Sequence, residues 1–303
     1  MPTKSFILII AFVSLIPTVI LPHPSLSQQQ GYFENNELIL VFDYQLKKMA
    51  QEIPKFYSQI THELEEKIGW GISYQPRIII YQDNATFQRV VNNPHILAYA
   101  VPANRFMVID HSKMNINPFT LETTIKHELC HLILHEHIQK SNLPRWVDEG
   151  IAQWVCGGID EVVFQDRGSL LDSAVLSGRI IPLRSLQERF PSDKGSFFLA
   201  YEQSKSAVKF IIKTYGEEGL RKLLQHLKNG YAIEDAIRAV FGLSFPDFEA
   251  EWRNHLKKQA IWLTYLISHL YEILFILGGF LLCYGFIKLW LRKRSLMDEY
   301  VDD

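Results

Sequence analysis

Cysteine is scarce in this sequence: 303 residues hold three, Cys130, Cys156 and Cys283, at no paired spacing. An odd, unspaced set excludes a disulfide framework and leaves at most a Cys130–Cys156 pair. An excess of charge of one sign is lacking too. Lys and Arg number 31 against 33 Asp and Glu, for a net charge of −2. With no long basic run to track phosphates, a nucleic-acid partner is not expected. There is no internal repeat and no low-complexity tract. What remains is a chain that is 48% hydrophobic, enough for one sizeable domain or two small ones.

Long apolar runs sit near the two ends. Lys4 precedes an apolar run from Phe6 to Leu21, interrupted by Pro17, and "HPSLSQQQ" follows with small residues at Ser25 and Ser27. This reads as a secretory signal peptide over residues 1–27 with cleavage near Ser27. The stretch "ILFILGGFLLCYGFIKLWLRKRS" runs from Ile273 to Ser295. Its roughly 19 mostly apolar residues predict one transmembrane helix over 270–291. Trp290 fits an interfacial aromatic, Lys288 can snorkel, and Arg292, Lys293 and Arg294 place the tail 292–303 in the cytoplasm. The expectation is a single-pass membrane protein with an extracytoplasmic (periplasmic or extracellular) domain.

Between these ends, Gln28 to Asn36 reads as a polar linker, and residues 28–74 as linker plus helix. Helical spacing joins Phe42, Leu46, Met49, Ile53, Phe56, Ile60, Leu64 and Ile68, with Pro54 as a kink. "PRIIIYQ" from Pro76 to Gln82 predicts a buried strand. "DNATFQRVV" predicts a short helix capped by Asp83 or Asn84. "ILAYAVPANRFMVID" predicts strands broken at Pro102 to Asn104, with Arg105 to Asp110 at an edge. Helices dominate afterwards, the first of them capped at Asn117 and Pro118. Strands followed by many helices predict an α+β fold.

The chemistry is concentrated in "TTIKHELCHLILHEHIQKSNLPRWVDEGIAQW", Thr123 to Trp154. His127-Glu128-Leu129-Cys130-His131 is an H-E-x-x-H pattern. Four helical residues advance about 400°, so the two histidines share a face while Glu128 lies about 100° away. Two imidazoles can then reach one ion, and Glu128 can reach a water on it. A catalytic zinc takes three protein ligands. Glu149, 18 positions after His131, and its neighbour Asp148 are the candidates, and only one of them can face the metal. His131 and His135 form a second i, i+4 pair, but Leu132 stands where its base should be. His135 and His137 fit better as helix-end histidines complementing the dipole.

"HELCH" followed by "LPRWVDEGIAQW" resembles the gluzincin zinc metallopeptidases, the clan of thermolysin-like and aminopeptidase-N-like enzymes, and most of all the compact peptidase MA-like domain. The likeness extends through "IIPLRSLQERFP" and "AYEQSKSAVKFIIKTYGEEGLRKLLQHLKNGYAIEDAIRAVFGLSFPDFEAEW" and covers roughly residues 75 to 256, giving a domain at 75–258. The resemblance implies a minimal gluzincin fold with a small N-terminal sheet, an active-site helix and a helical C-terminal part. It implies one Zn2+ per chain, held by His127, His131 and, on the tryptophan-x-x-Glu-Gly-x-Ala segment, Glu149. It implies Glu128 as general base and a polypeptide substrate. Tyr201 in "AYEQS" resembles a tyrosine that supports the developing oxyanion in several gluzincins; Arg145 and His226 are weaker candidates for that role. Two departures stand out. The glycine-x-Met-Glu-Asn signature of exopeptidases is absent, which favours an endopeptidase. Gln153 stands where an acidic residue often orients a ligand histidine. The alternative to a peptidase is a catalytically inactive gluzincin-fold binding or scaffold module at the membrane.

Overall fold

The computed structural model describes residues 30–91, 96–114, 120–157, 170–268 and 270–299, with side chains described up to residue 260 and over 274–289. Residues up to Trp252 form one compact unit and those from Arg253 onward a second.

A five-stranded mixed sheet opens the first unit. Its strands are β1 (Gln30–Glu34), β2 (Ile39–Asp43), β3 (Arg77–Tyr81), β4 (Ala98–Val101) and β5 (Phe106–Asp110), in the spatial order β1-β2-β3-β5-β4. β3 pairs parallel with β2 and with β5, while the outer pairs β1–β2 and β4–β5 are antiparallel. Ile78, Ile79 and Ile80 of β3 are all buried, as expected of a strand covered on both faces. Two expectations need correcting here. The polar segment 28–36 contains β1, whose ladder runs from Gln30↔Asp43 to Glu34↔Ile39. β5 is an interior strand with all five residues buried, and β4 takes the edge.

Helices follow as α1 (Lys47–Ala50), α2 (Ile53–Ile68), α3 (Asn84–Val91), α4 (Leu121–His137), α5 (Arg145–Val155), α6 (Leu170–Leu176), α7 (Lys194–Lys228), α8 (Ile233–Phe241), α9 (Phe245–Ser268) and α10 (Leu270–Glu299). The helix read as starting at Phe42 begins at Ile53. Phe42 belongs to β2, and Pro54 sits in the first turn of α2, where its missing N–H is no loss. α7 is two helices joined at Gly216, whose φ of 74° and ψ of 171° suit only glycine.

α4 is the central helix. It lies against β4 and β5 and is flanked by α2 and α5. Every residue from His127 to Leu134 is buried. Its cap is Thr120, not Asn117. The Thr120 hydroxyl accepts from the Thr123 N–H at 3.1 Å, and the Thr123 hydroxyl accepts from the Thr120 N–H at 3.2 Å. This reciprocal arrangement satisfies two donors at the helix start. Asn117 and Pro118 lie outside the described residues.

α5 packs most extensively on α7, at a distance set by Gly150. A Cβ there would stand 2.5 Å from the Ser204 carbonyl oxygen and 2.7 Å from Val208 Cγ2. Trp146, fully buried one turn earlier, stacks on Phe248 with ring centroids 6.4 Å apart. Together these fix where α5 presents its acids.

The expected transmembrane helix is overturned: among the described residues, no helix is long and apolar enough to cross a membrane. α10 occupies the stretch concerned. The single-pass topology, and the extracytoplasmic placement built on it, fall with it. The expected signal peptide, residues 1–27, lies outside the described residues.

Candidate metal centre

Three side chains from two helices converge in a buried pocket. His127 and His131 project from one face of α4, and their Nε2 atoms are 3.2 Å apart. Glu149 Oε2, from α5, lies 3.8 Å from His127 Nε2 and 3.7 Å from His131 Nε2. All three residues are at most 2% exposed. Among the described residues, these are the three whose donor atoms come within 4.8 Å of one another and could hold a metal ion. Donors about 2.0–2.2 Å from a tetrahedral ion stand about 3.3–3.6 Å from each other, close to the spacing found here. Glu149 Oε2 has no hydrogen-bond partner. A buried carboxylate oxygen left so is costly unless something cationic meets it, so the residues fit an ion.

The alternative pair, His131 with His135, is not gathered. His135 Nε2 instead meets Asp148 Oδ2 at 3.0 Å. His137 Nε2 donates to the Gly71 carbonyl at 3.0 Å. Both histidines tie the end of α4 to its neighbours.

Asp148 has a part that sequence reasoning missed. Its Oδ1 lies 2.7 Å from His131 Nδ1, on the opposite side of the ring from Glu149. The two adjacent acids thus hold one imidazole between them. A carboxylate on the far nitrogen fixes the tautomer that leaves Nε2 free to ligate. Burial opposes both charges, but the pair overcomes it: His131 is raised and Asp148 lowered, with His135 contributing to the latter. Gln153 takes no such part; both of its amide atoms are buried without partners. The signal for Asp148 was its place one residue before Glu149, but only the roll of α5 decides which imidazole nitrogen it meets.

Glu128 is 1% exposed, and its Oε1 has no partner. Burial pushes its carboxyl up to about 8, repulsion from Glu149 adds to this, and His131 and the Ala100 N–H of β4 oppose it. A cation at the three donors would draw it down again. His127 is held well below the usual imidazole range, first by burial and then by the charge on His131, so it presents a neutral ring.

Tyr201, from α7, is at the site, and its hydroxyl donates to Glu149 Oε1 at 3.1 Å. Arg145 is there as well, with Nη2 3.5 Å from the same oxygen. His226 is not among the gathered residues; its Nδ1 donates to the Lys222 carbonyl at 2.9 Å. Cys130 and Cys156 form no disulfide with each other, and the Cys156 thiol donates to the Thr123 carbonyl oxygen at 3.4 Å.

The profile of the Peptidase MA superfamily matches residues 56–258, from α2 into α9. The chain belongs to this superfamily. The matched segment contains both helices of the candidate metal centre and α7, while β1 and β2 precede it. A comparison with curated proteins finds no match. As a Peptidase MA domain, the chain has a metallopeptidase-type architecture with a polypeptide as the substrate class, and the buried His127, His131 and Glu149 stand where such an architecture would need a metal.

Proposed function

We propose that this protein is a zinc-dependent endopeptidase in which His127, His131 and Glu149 ligate one Zn2+ and Glu128 is the general base. The observation that carries the reading is the convergence of the two Nε2 atoms and Oε2 at 3.2, 3.7 and 3.8 Å, together with the buried Glu128 carboxyl, whose Oε1 has no hydrogen-bond partner. Two imidazoles and one carboxylate suit zinc and leave a position for water or substrate. Bound there, zinc would polarise a substrate carbonyl and lower the pKa of a water toward neutrality.

The chain's own residues supply the rest. Glu128 accepts the proton of the attacking water through its free Oε1 and passes it to the leaving amine. Its burial raises its proton affinity, which suits a group that must take and release a proton near neutral pH. Asp148 keeps His131 oriented from behind. A module that only binds would have no use for a buried carboxyl with one oxygen left unpartnered in this place, which favours catalysis over scaffolding.

Metal content of the purified full-length chain tests the reading. One zinc per chain is expected, and Glu149→Ala should remove it or leave it only at large excess, since two histidines alone remain. No zinc in the unsubstituted chain, even after reconstitution, would overturn it. Asp148→Asn should keep the shape but weaken zinc by about 10–100-fold, read by competition with a chelator. Unchanged affinity would mean that Asp148 only fills space.

A further inference from the structure

The two oxygens of Glu149 have different surroundings. Oε1 accepts from the Tyr201 hydroxyl at 3.1 Å and faces Arg145 Nη2 at 3.5 Å. Oε2 has no hydrogen-bond partner and faces His127 and His131. Carboxylates can bind cations through one oxygen or both, and nothing in the length of Glu149 selects between them. We propose that Arg145 and Tyr201 are positioning residues that occupy Oε1 and so restrict Glu149 to ligation through Oε2 alone. The proposal rests on the zinc reading above.

The pair is itself firmly held. Arg145 lies one turn before Glu149 on α5, so the two face the same side. Its guanidinium sits over the Phe190 ring at 5.0 Å, and Phe190 packs edge-on against Tyr201 with centroids 5.1 Å apart. Arg145 and Tyr201 also act on each other electrostatically, the guanidinium opposing the rise that burial gives the Tyr201 hydroxyl. Both are largely buried, which strengthens charge-assisted bonds and limits competition from water. The consequence concerns coordination number. With one oxygen engaged, the protein supplies three donor atoms and a fourth position stays open, the arrangement of catalytic rather than structural zinc. A carboxylate turning both oxygens inward would add a donor beside that position and raise the coordination number.

This assigns Tyr201 a different task from the oxyanion donor implied by family resemblance, and the two tasks separate experimentally. The full-length chain is stripped of metal and titrated with Co2+, whose visible absorption is intense in four-coordinate sites and weak in higher-coordinate ones. Zn2+ affinity is measured by chelator competition. Tyr201→Phe keeps the ring contacts and removes only the hydroxyl; Arg145→Met keeps the stem and removes the donors. Each variant should weaken Zn2+ about 10–100-fold and lower the Co2+ absorption. Arg145→Lys should recover part of the affinity, because it restores charge without the fork. Wild-type affinity and spectrum in both Tyr201→Phe and Arg145→Met would overturn the proposal. A loss confined to kcat in Tyr201→Phe would assign the hydroxyl to the substrate instead. An unsubstituted chain that binds neither ion would defeat the zinc reading itself, and the clamp with it.

Discussion

Glu128→Gln is expected to lower peptide-bond hydrolysis by about 10²–10⁴-fold, the usual contribution of a positioned general base, while one zinc per chain is retained. The amide matches the carboxylate in shape but cannot take up a proton from the attacking water. The fold should not suffer. Glu128 lies 1% exposed with one oxygen unpartnered, so removing its charge relieves a desolvation cost rather than breaking an ion pair. The variant should melt at or above the temperature of the parent chain. Turnover of a casein-type substrate and metal content, measured on the same preparation, decide the matter. Retained turnover would remove Glu128 from the mechanism. Turnover lost together with zinc would make it part of the metal's support instead.

Gly150→Ala is expected to cost about 1–3 kcal/mol, as overpacking of a tight interior does, and to weaken zinc as well. The added methyl would meet the Ser204 carbonyl oxygen at 2.5 Å and Val208 Cγ2 at 2.7 Å. The first of these is backbone and cannot rotate away, so α5 and α7 must separate. Asp148 and Glu149 stand immediately before this position on α5 and would move with it. A melt by circular dichroism should show a drop of several degrees, since each kcal/mol shifts the midpoint by about 2–4 °C in a domain of this size. Adding Val208→Ala should restore little, because it clears only the more distant contact. A single variant with unchanged melting temperature and zinc affinity would show that the α5–α7 spacing does not depend on this glycine.

What was legible in the sequence follows from what local geometry dictates. The spacing of His127 and His131 decides their shared face wherever the helix lies, and Pro144 with the apolar positions of α5 marked the second helix. The segment 28–43 was misread because its signals are tertiary. β1 is mostly exposed and exists through its ladder to β2, while Phe42 continues by chance the helical spacing of α2. Within α2 the buried aromatic is Tyr57, with Phe56 at the margin, a shift of one position that spacing alone cannot resolve. The edge was assigned to β5 rather than β4 because strand order is not written in either segment. At the site, spacing left Glu149 and Asp148 both open and only the family resemblance chose Glu149, while Asp148 as the partner of His131, and Arg145 as a neighbour of Glu149, depend on how α5 rolls against α4.

The unbroken burial of α4 from His127 to Leu134 has a kinetic meaning. Backbone amides enclosed on every side exchange with solvent only through near-global opening, so these should be among the last in the protein to take up deuterium. Two of the three candidate donors, His127 and His131, are anchored to that segment. A chelator is therefore expected to leave the fold intact, unlike in small domains that collapse only around their metal. On the zinc reading, ion exchange would be a matter of side-chain motion and access, decoupled from refolding, and a stripped protein would reload at the pace of diffusion and ligand deprotonation.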